Sequence, residues 1–314
     1  MRKSLAYIVL ALVVPGCMSF KVHQALPPTA WILVRAQGSM QQESDYEMAR
    51  QAIPGALKTV EGFWYVANGE GGMPEVAGKL AAVLTEGYCQ YGTAFVEDDW
   101  EAAKFKKDLD AIDYHNSRAT QIFTRCLNYA LHSLGSRWEK EIYGTTDVTN
   151  KLIHDAGPDQ RTPMMFAGMA LGSIINHNMT RTEMLALLPA VKAIMERVIE
   201  LDLKRPPANK QLAALPYIAL GMINSSAPKA MGGDPDKARQ YFETALKITD
   251  NKFLLARTLM AFQVGTKTND QKYFHDQLKL VLETAPSVWP EQRLANEVAH
   301  RKARRYLSKE KELF

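Results

Sequence analysis

Ala238-Arg239-Gln240-Tyr241-Phe242-Glu243-Thr244-Ala245-Leu246-Lys247-Ile248 places its apolar residues at helical spacing, with Ala238, Phe242, Ala245 and Leu246 on one face. The small Ala residues let a second helix approach closely, and the aromatic fills the groove of a neighbouring hairpin. Asp234-Pro235, just before it, supplies an N-cap and a first-turn proline. From Ser44 onward nearly every segment repeats the 3.6-residue period, and no alternating β-branched run competes with it. Helices are expected at roughly 45–67, 74–98, 100–135, 146–156, 163–178, 182–202, 208–224, 235–249, 253–264, 270–284 and 291–311. Pro74 and Pro163 also suit first turns, and Gly135 and Gly265 suit helix exits. Pro54 and Pro189 fall inside helical patterns that they should kink or divide. The connections are short, so consecutive helices should lie antiparallel.

The Ala, aromatic, Ala-Leu spacing resembles the second helix of a tetratricopeptide repeat. Weaker copies occur at Ala193 to Leu201, at Leu278 to Leu282 followed by Pro286, and at Ala52 to Val60, out of strict period. The fold class expected is therefore all-α: antiparallel helix hairpins in a cryptic tetratricopeptide-like superhelix, occupying residues 45–314.

With 314 residues and 46% hydrophobic composition the chain can bury a sizeable core, which excludes a largely disordered protein. The formal charge is +4, or +2 without Arg2 and Lys3, and only the C-terminal tail holds a basic run. Nucleic acid is not an expected partner. Residues 1–16 read as a lipoprotein signal peptide: Arg2 and Lys3 precede an apolar run, Leu5 to Val14, too short for a permanent span. The run ends in Val14-Pro15-Gly16-Cys17, which resembles a bacterial lipobox with Cys17 as the lipid-attachment residue. Met18 is not the Asp associated with inner-membrane retention, so a lipid-anchored protein at the outer membrane, facing the periplasm, is the favoured reading. Residues 17–44 form the acylated N-terminus and a spacer, with a short helix expected around Trp31 to Ala36. Cys89 and Cys126 both lie in apolar helical patterns. An oxidising compartment permits a bridge between them, but two buried thiols are the preferred reading.

Chemistry is nearly absent from the pattern. There is no His-Glu-x-x-His, no Cys/His cluster at metal-ligand spacing, no Gly-x-Ser-x-Gly elbow and no phosphate-binding glycine loop. No catalytic residue, metal or cofactor is expected. The carboxylates Glu97, Asp98, Asp99 and Glu101 suit capping and solvation at a helix junction, and His177 suits a helix end. Two stretches stand out. Tyr88, Tyr91 and Phe95 share one helical face, with Gly87 and Gly92 leaving room beside them. Core packing explains them, and phenolic hydroxyls also suit an amphipathic cleft, so these three are the ligand-cleft candidates. Met231-Gly232-Gly233-Asp234 turns into a capped helix and is the candidate partner or assembly segment.

The lipobox-like leader and Tyr88-x-x-Tyr91-x-x-Ala94-Phe95-Val96 stand in order with two further blocks. One is Ala230-Met231-Gly232-Gly233-Asp234-Pro235-x-x-Ala238-Arg239-x-x-Phe242-x-x-Ala245-Leu246; the other is Arg293-Leu294-Ala295-Asn296-x-x-Ala299-x-x-x-Ala303-Arg304, closing on Glu312-Leu313-Phe314. Together they resemble the T component of tripartite ATP-independent periplasmic (TRAP) transporters across the mature chain. The polar insertion at 104–118 and Pro15 in the lipobox depart from the pattern. The resemblance implies a non-enzymatic, periplasm-facing lipoprotein that assembles as a homotrimer and engages a periplasmic substrate-binding protein. It also implies passage of a hydrophobic or amphipathic small molecule to that partner. The charged helix at 100–118 and the run Arg301-Lys302-x-Arg304-Arg305 then become candidate docking surfaces or, more simply, solvated faces. The alternative is a tetratricopeptide-like scaffold lipoprotein for envelope protein assembly.

Overall fold

A computed structural model describes residues 23–226 and 233–314. Cys17, Met231 and Gly232 lie outside the described residues, as does the leader. Among the described residues the chain is all-α, with no strand. Helix α1 covers residues 23–41, followed by α2 (Tyr46–Asn68) and α3 (Pro74–Tyr91). A π turn (Gly92–Val96) continues α3 into α4 (Glu97–Lys106). Then come α5 (Leu109–Leu134), α6 (Ser136–Glu141), α7 (Thr146–Asp155), α8 (Arg161–His177), α9 (Thr182–Leu185) and α10 (Leu188–Lys204). The chain finishes with α11 (Lys210–Ser226), α12 (Pro235–Ile248), α13 (Leu254–Thr268), α14 (Gln271–Glu283), α15 (Arg293–Ser308) and α16 (Glu310–Leu313).

Helix α12 shows why the hairpins form. Ala238, Phe242, Ala245 and Leu246 are all buried, and the Asp234 carboxylate caps the helix by accepting from the Asp236 and Lys237 N–H groups. The Phe242 ring seats in the notch that Gly221 leaves on α11: a Cβ there would lie 2.8 Å from Cε2. Burying such a ring stabilises by about 1.5–3 kcal/mol. The same pairing of neighbours runs along the chain, α2 on α3, α5 on α8, α11 on α12 and α13 on α14. Apolar faces merge into a large core under α1 to α8 and α10, with smaller ones around α11–α13 and α13–α15.

Several expectations need correction. Cys89 and Cys126 are not free thiols; they form a disulfide between α3 and α5, with Cα atoms 5.4 Å apart. Burial and bonding are compatible because those two helices pack side by side, so both sulfurs face the same core. Gly265 is not a helix exit: it is buried inside α13, where Phe274 packs on it, and α13 leaves through Asn269 in the left-handed region, φ 53°. The helix expected from 100 breaks later, at Lys107 (φ 59°), after which Asp108 caps α5 through the Ala111 N–H. Pro54 sits within an unbroken α2, whereas Pro189 stands at the start of α10, separated from α9.

The largest correction concerns the charged blocks. Asp98 is not at a solvated junction; it is fully buried within α4. The run on α15 turns inward to meet it. Arg301 Nε donates to Asp98 at 2.7 Å, Arg305 binds both Asp98 and Glu101, and Lys302 Nζ lies 2.9 Å from Glu101. The Tyr306 hydroxyl also donates to Glu101. Arg301 and Arg304 of that run remain exposed, while Lys302 and Arg305 are drawn inside, so half of the basic run belongs to an internal clamp joining α15 to α4. His177, too, is buried rather than exposed, 2.8 Å from Asn116 Oδ1 and 3.3 Å from Glu97.

Candidate functional site

The clamp matters because it brings α15 against the first helices, and a cavity lies where they meet. Its walls come from α1 (Leu33, Met40), α2 (Ile53, Leu57), α3 (Val83, Gly87), the π turn (Ala94, Phe95) and Leu294 of α15. Its volume is about 180 Å³, and no Asp, Glu, Lys or Arg belongs to the lining. An apolar cavity of about 150 Å³ already takes up a benzene-sized guest, so this one is large enough for a small apolar group.

Local sequence explains the space. A Cβ on Gly87 would come within 2.5 Å of Leu57 Cδ2, so the missing side chain lets α2 close over α3 without filling the hollow. A Cβ on Gly92 would strike the Phe123 ring at 2.7 Å, which holds the π turn against α5. Such turns break the regular ladder and re-aim the side chains that follow.

The structure separates the three cleft candidates. Tyr91 and Phe95 both line the cavity, their rings 5.4 Å apart, with Tyr46 packed 4.9 Å from Phe95. Tyr88 does not reach it. That ring stacks on Tyr129 at 6.1 Å, beside Glu61 and Arg125, and burial together with Glu61 pushes its phenol up. Of the partner-segment candidates, Asp234 caps α12 and its N–H donates to the Asn224 carbonyl, and Gly233 is buried before it.

The lining is not wholly apolar, and two of its amides come together. Gln37, Ser39 and Gln41 of α1 and Gln90 of α3 all belong to the lining. Behind the two last-named amides stands Glu86, which accepts from Gln41 Nε2 at 3.0 Å and Gln90 Nε2 at 2.8 Å. Burial pushes the Glu86 carboxyl up, and only these two amides act against it. On another wall, Arg118 donates to the Tyr91 hydroxyl at 2.6 Å. A second hollow, about 230 Å³, over α12–α14 is polar instead, lined by Lys247, Arg257 and Tyr273 among others.

Residues of α1 were missed as site residues because Leu26-Pro27-Pro28 read as a spacer. The signal was present: Leu26, Ala30, Leu33, Gln37 and Met40 follow helical spacing, and the first two are buried. The arrangement has walls for an apolar body and a pair of amides joined through Glu86. Among the described residues there is no group of three or more His, Cys, Asp or Glu placed to hold a metal ion, and no helix is long and apolar enough to cross a membrane. No curated protein matches the chain. The family model described as TRAP transporter T-component matches residues 42–314.

Proposed function

The chain belongs to the TRAP transporter T-component family, so its role lies in TRAP transport at the cell envelope, and from that premise we propose its part in the process. It is a non-enzymatic lipoprotein, anchored through Cys17 at the outer membrane and facing the periplasm. It docks a periplasmic substrate-binding protein and holds a hydrophobic or amphipathic small molecule for transfer, as a homotrimer. The observation that supports this reading is the uncharged cavity beneath α1, since a hollow with apolar walls stores a ligand by affinity alone. Helix α1 forms one wall and begins six positions after Cys17 in the sequence, so a tethered copy would hold that wall close to the membrane.

The test is chemical crosslinking in native envelopes, followed by identification of captured proteins and of small molecules extracted with the protein. The expected result is a substrate-binding protein plus an amphipathic small molecule. Ala56→Trp, at an exposed position on the cavity rim, should deplete the small molecule and spare the fold. Capture of envelope-assembly proteins with no small molecule would instead favour the scaffold role.

A further inference from the structure

The two amides joined through Glu86 constrain what can occupy the cavity. Gln41 and Gln90 both turn their nitrogens toward Glu86, whose Oε1 accepts from each, as an ionised carboxylate requires. A primary amide carries its oxygen on the opposite side from its nitrogen. Both amide oxygens therefore face away from Glu86, on residues that line the cavity, and offer acceptors to a guest. Glu86 has no cation in ion-pairing contact among the described residues, so whenever its carboxyl is ionised the charge is not cancelled locally. The cation that touches the wall, Arg118, is behind the Tyr91 hydroxyl and lies 4.0 Å from Asp99, which Arg50 also grips through two hydrogen bonds.

We propose that the cavity selects guests whose apolar body ends in a hydrogen-bond donor without negative charge, an alcohol, amide or amine, and disfavours carboxylates. Gln41 and Gln90 read the head, and Glu86 sets their orientation and repels anions. This rests on the ligand-holding role proposed above and names the ligand class for it. A carboxylate head would meet two carbonyl-type oxygens and an uncompensated anion, all repulsive. An ammonium or hydroxyl would satisfy acceptors that otherwise turn to water.

The experiment is calorimetric titration of the full chain with octan-1-ol, octylamine and octanoate, which share one body and differ in the head. Octanol and octylamine should bind at least about tenfold more tightly than octanoate, a difference of about 1.4 kcal/mol. Glu86→Gln should bring octanoate to within about threefold of octanol, since the carboxylate that fixes the amides is gone. Gln90→Leu, which keeps Glu86, should weaken octanol and octylamine and leave octanoate unchanged, so the idea stays testable if Glu86→Gln misfolds by circular dichroism. Octanoate binding as tightly as octanol to the unmodified chain would overturn the head-group inference and leave the cavity standing. Failure of all three to bind, or binding that Ala56→Trp leaves untouched, would overturn the ligand-holding role itself.

Discussion

Replacing Asp98 by Ala should destabilise the protein by about 3–5 kcal/mol at neutral pH, because it leaves a buried cluster of cations facing Glu101 alone. The linkage between pH and stability gives an independent figure. Burial by itself would raise the Asp98 pKa, but Lys302, Arg305 and Arg301 outweigh it and hold the carboxyl at about 2. Against about 3.9 in the unfolded chain, that is roughly 2–3 kcal/mol of stability from one carboxylate. The folded value is the lower one, so the contribution is fully present above about pH 4 and disappears as pH falls toward 2. The gap between the parent chain and Asp98→Ala should therefore be widest near pH 7 and shrink steadily below pH 4. Urea denaturation followed by tryptophan fluorescence measures it, with Trp100 two residues from the substitution acting as a local reporter. A gap below about 1 kcal/mol at pH 7, or one unchanged at pH 2.5, would refute the view that the α4–α15 clamp is a stabilising ion-pair cluster.

Reduction of the Cys89–Cys126 bond, or Cys126→Ala, removes a cross-link between residues 37 apart, which the chain-entropy account values at about 4 kcal/mol; melts with and without reductant should differ by several degrees, and identical melts would argue against the bond. Gly221→Ala puts a methyl 2.8 Å from Phe242 Cε2, and that ring is fully buried with nowhere to go, so a loss of about 1–3 kcal/mol is expected in denaturant titrations.

The helices were legible because their evidence is local. Ala238 to Ile248 announces its buried face within eleven residues, and Asp234-Pro235 marks where it starts. The clamp was not, since Asp98 and Arg301 are 203 positions apart and nothing in the spacing of either block says which charge it will meet. A run of like charges looks the same whether it is solvated or bound to a buried carboxylate. The disulfide was hidden for a related reason: periodicity shows that Cys89 and Cys126 point inward, and only the packing of α3 on α5 shows that they point at each other.

The three cleft candidates are placed apart for one geometric reason. On an unbroken α-helix each residue turns about 100°, so Phe95 comes round between Tyr88 and Tyr91 and the three share a face. The π turn at Gly92–Val96 winds less per residue, which carries Phe95 past that position to the far side of Tyr91, away from Tyr88. Tyr91 and Phe95 thus meet in the cavity, while Tyr88 stacks on Tyr129 outside it. Gly92 opens that turn, and its missing side chain admits the Phe123 ring against it. In the sequence that glycine reads as spare room beside a helix; in the fold it stands at the start of the turn beyond which Phe95 joins Tyr91 in the cavity wall.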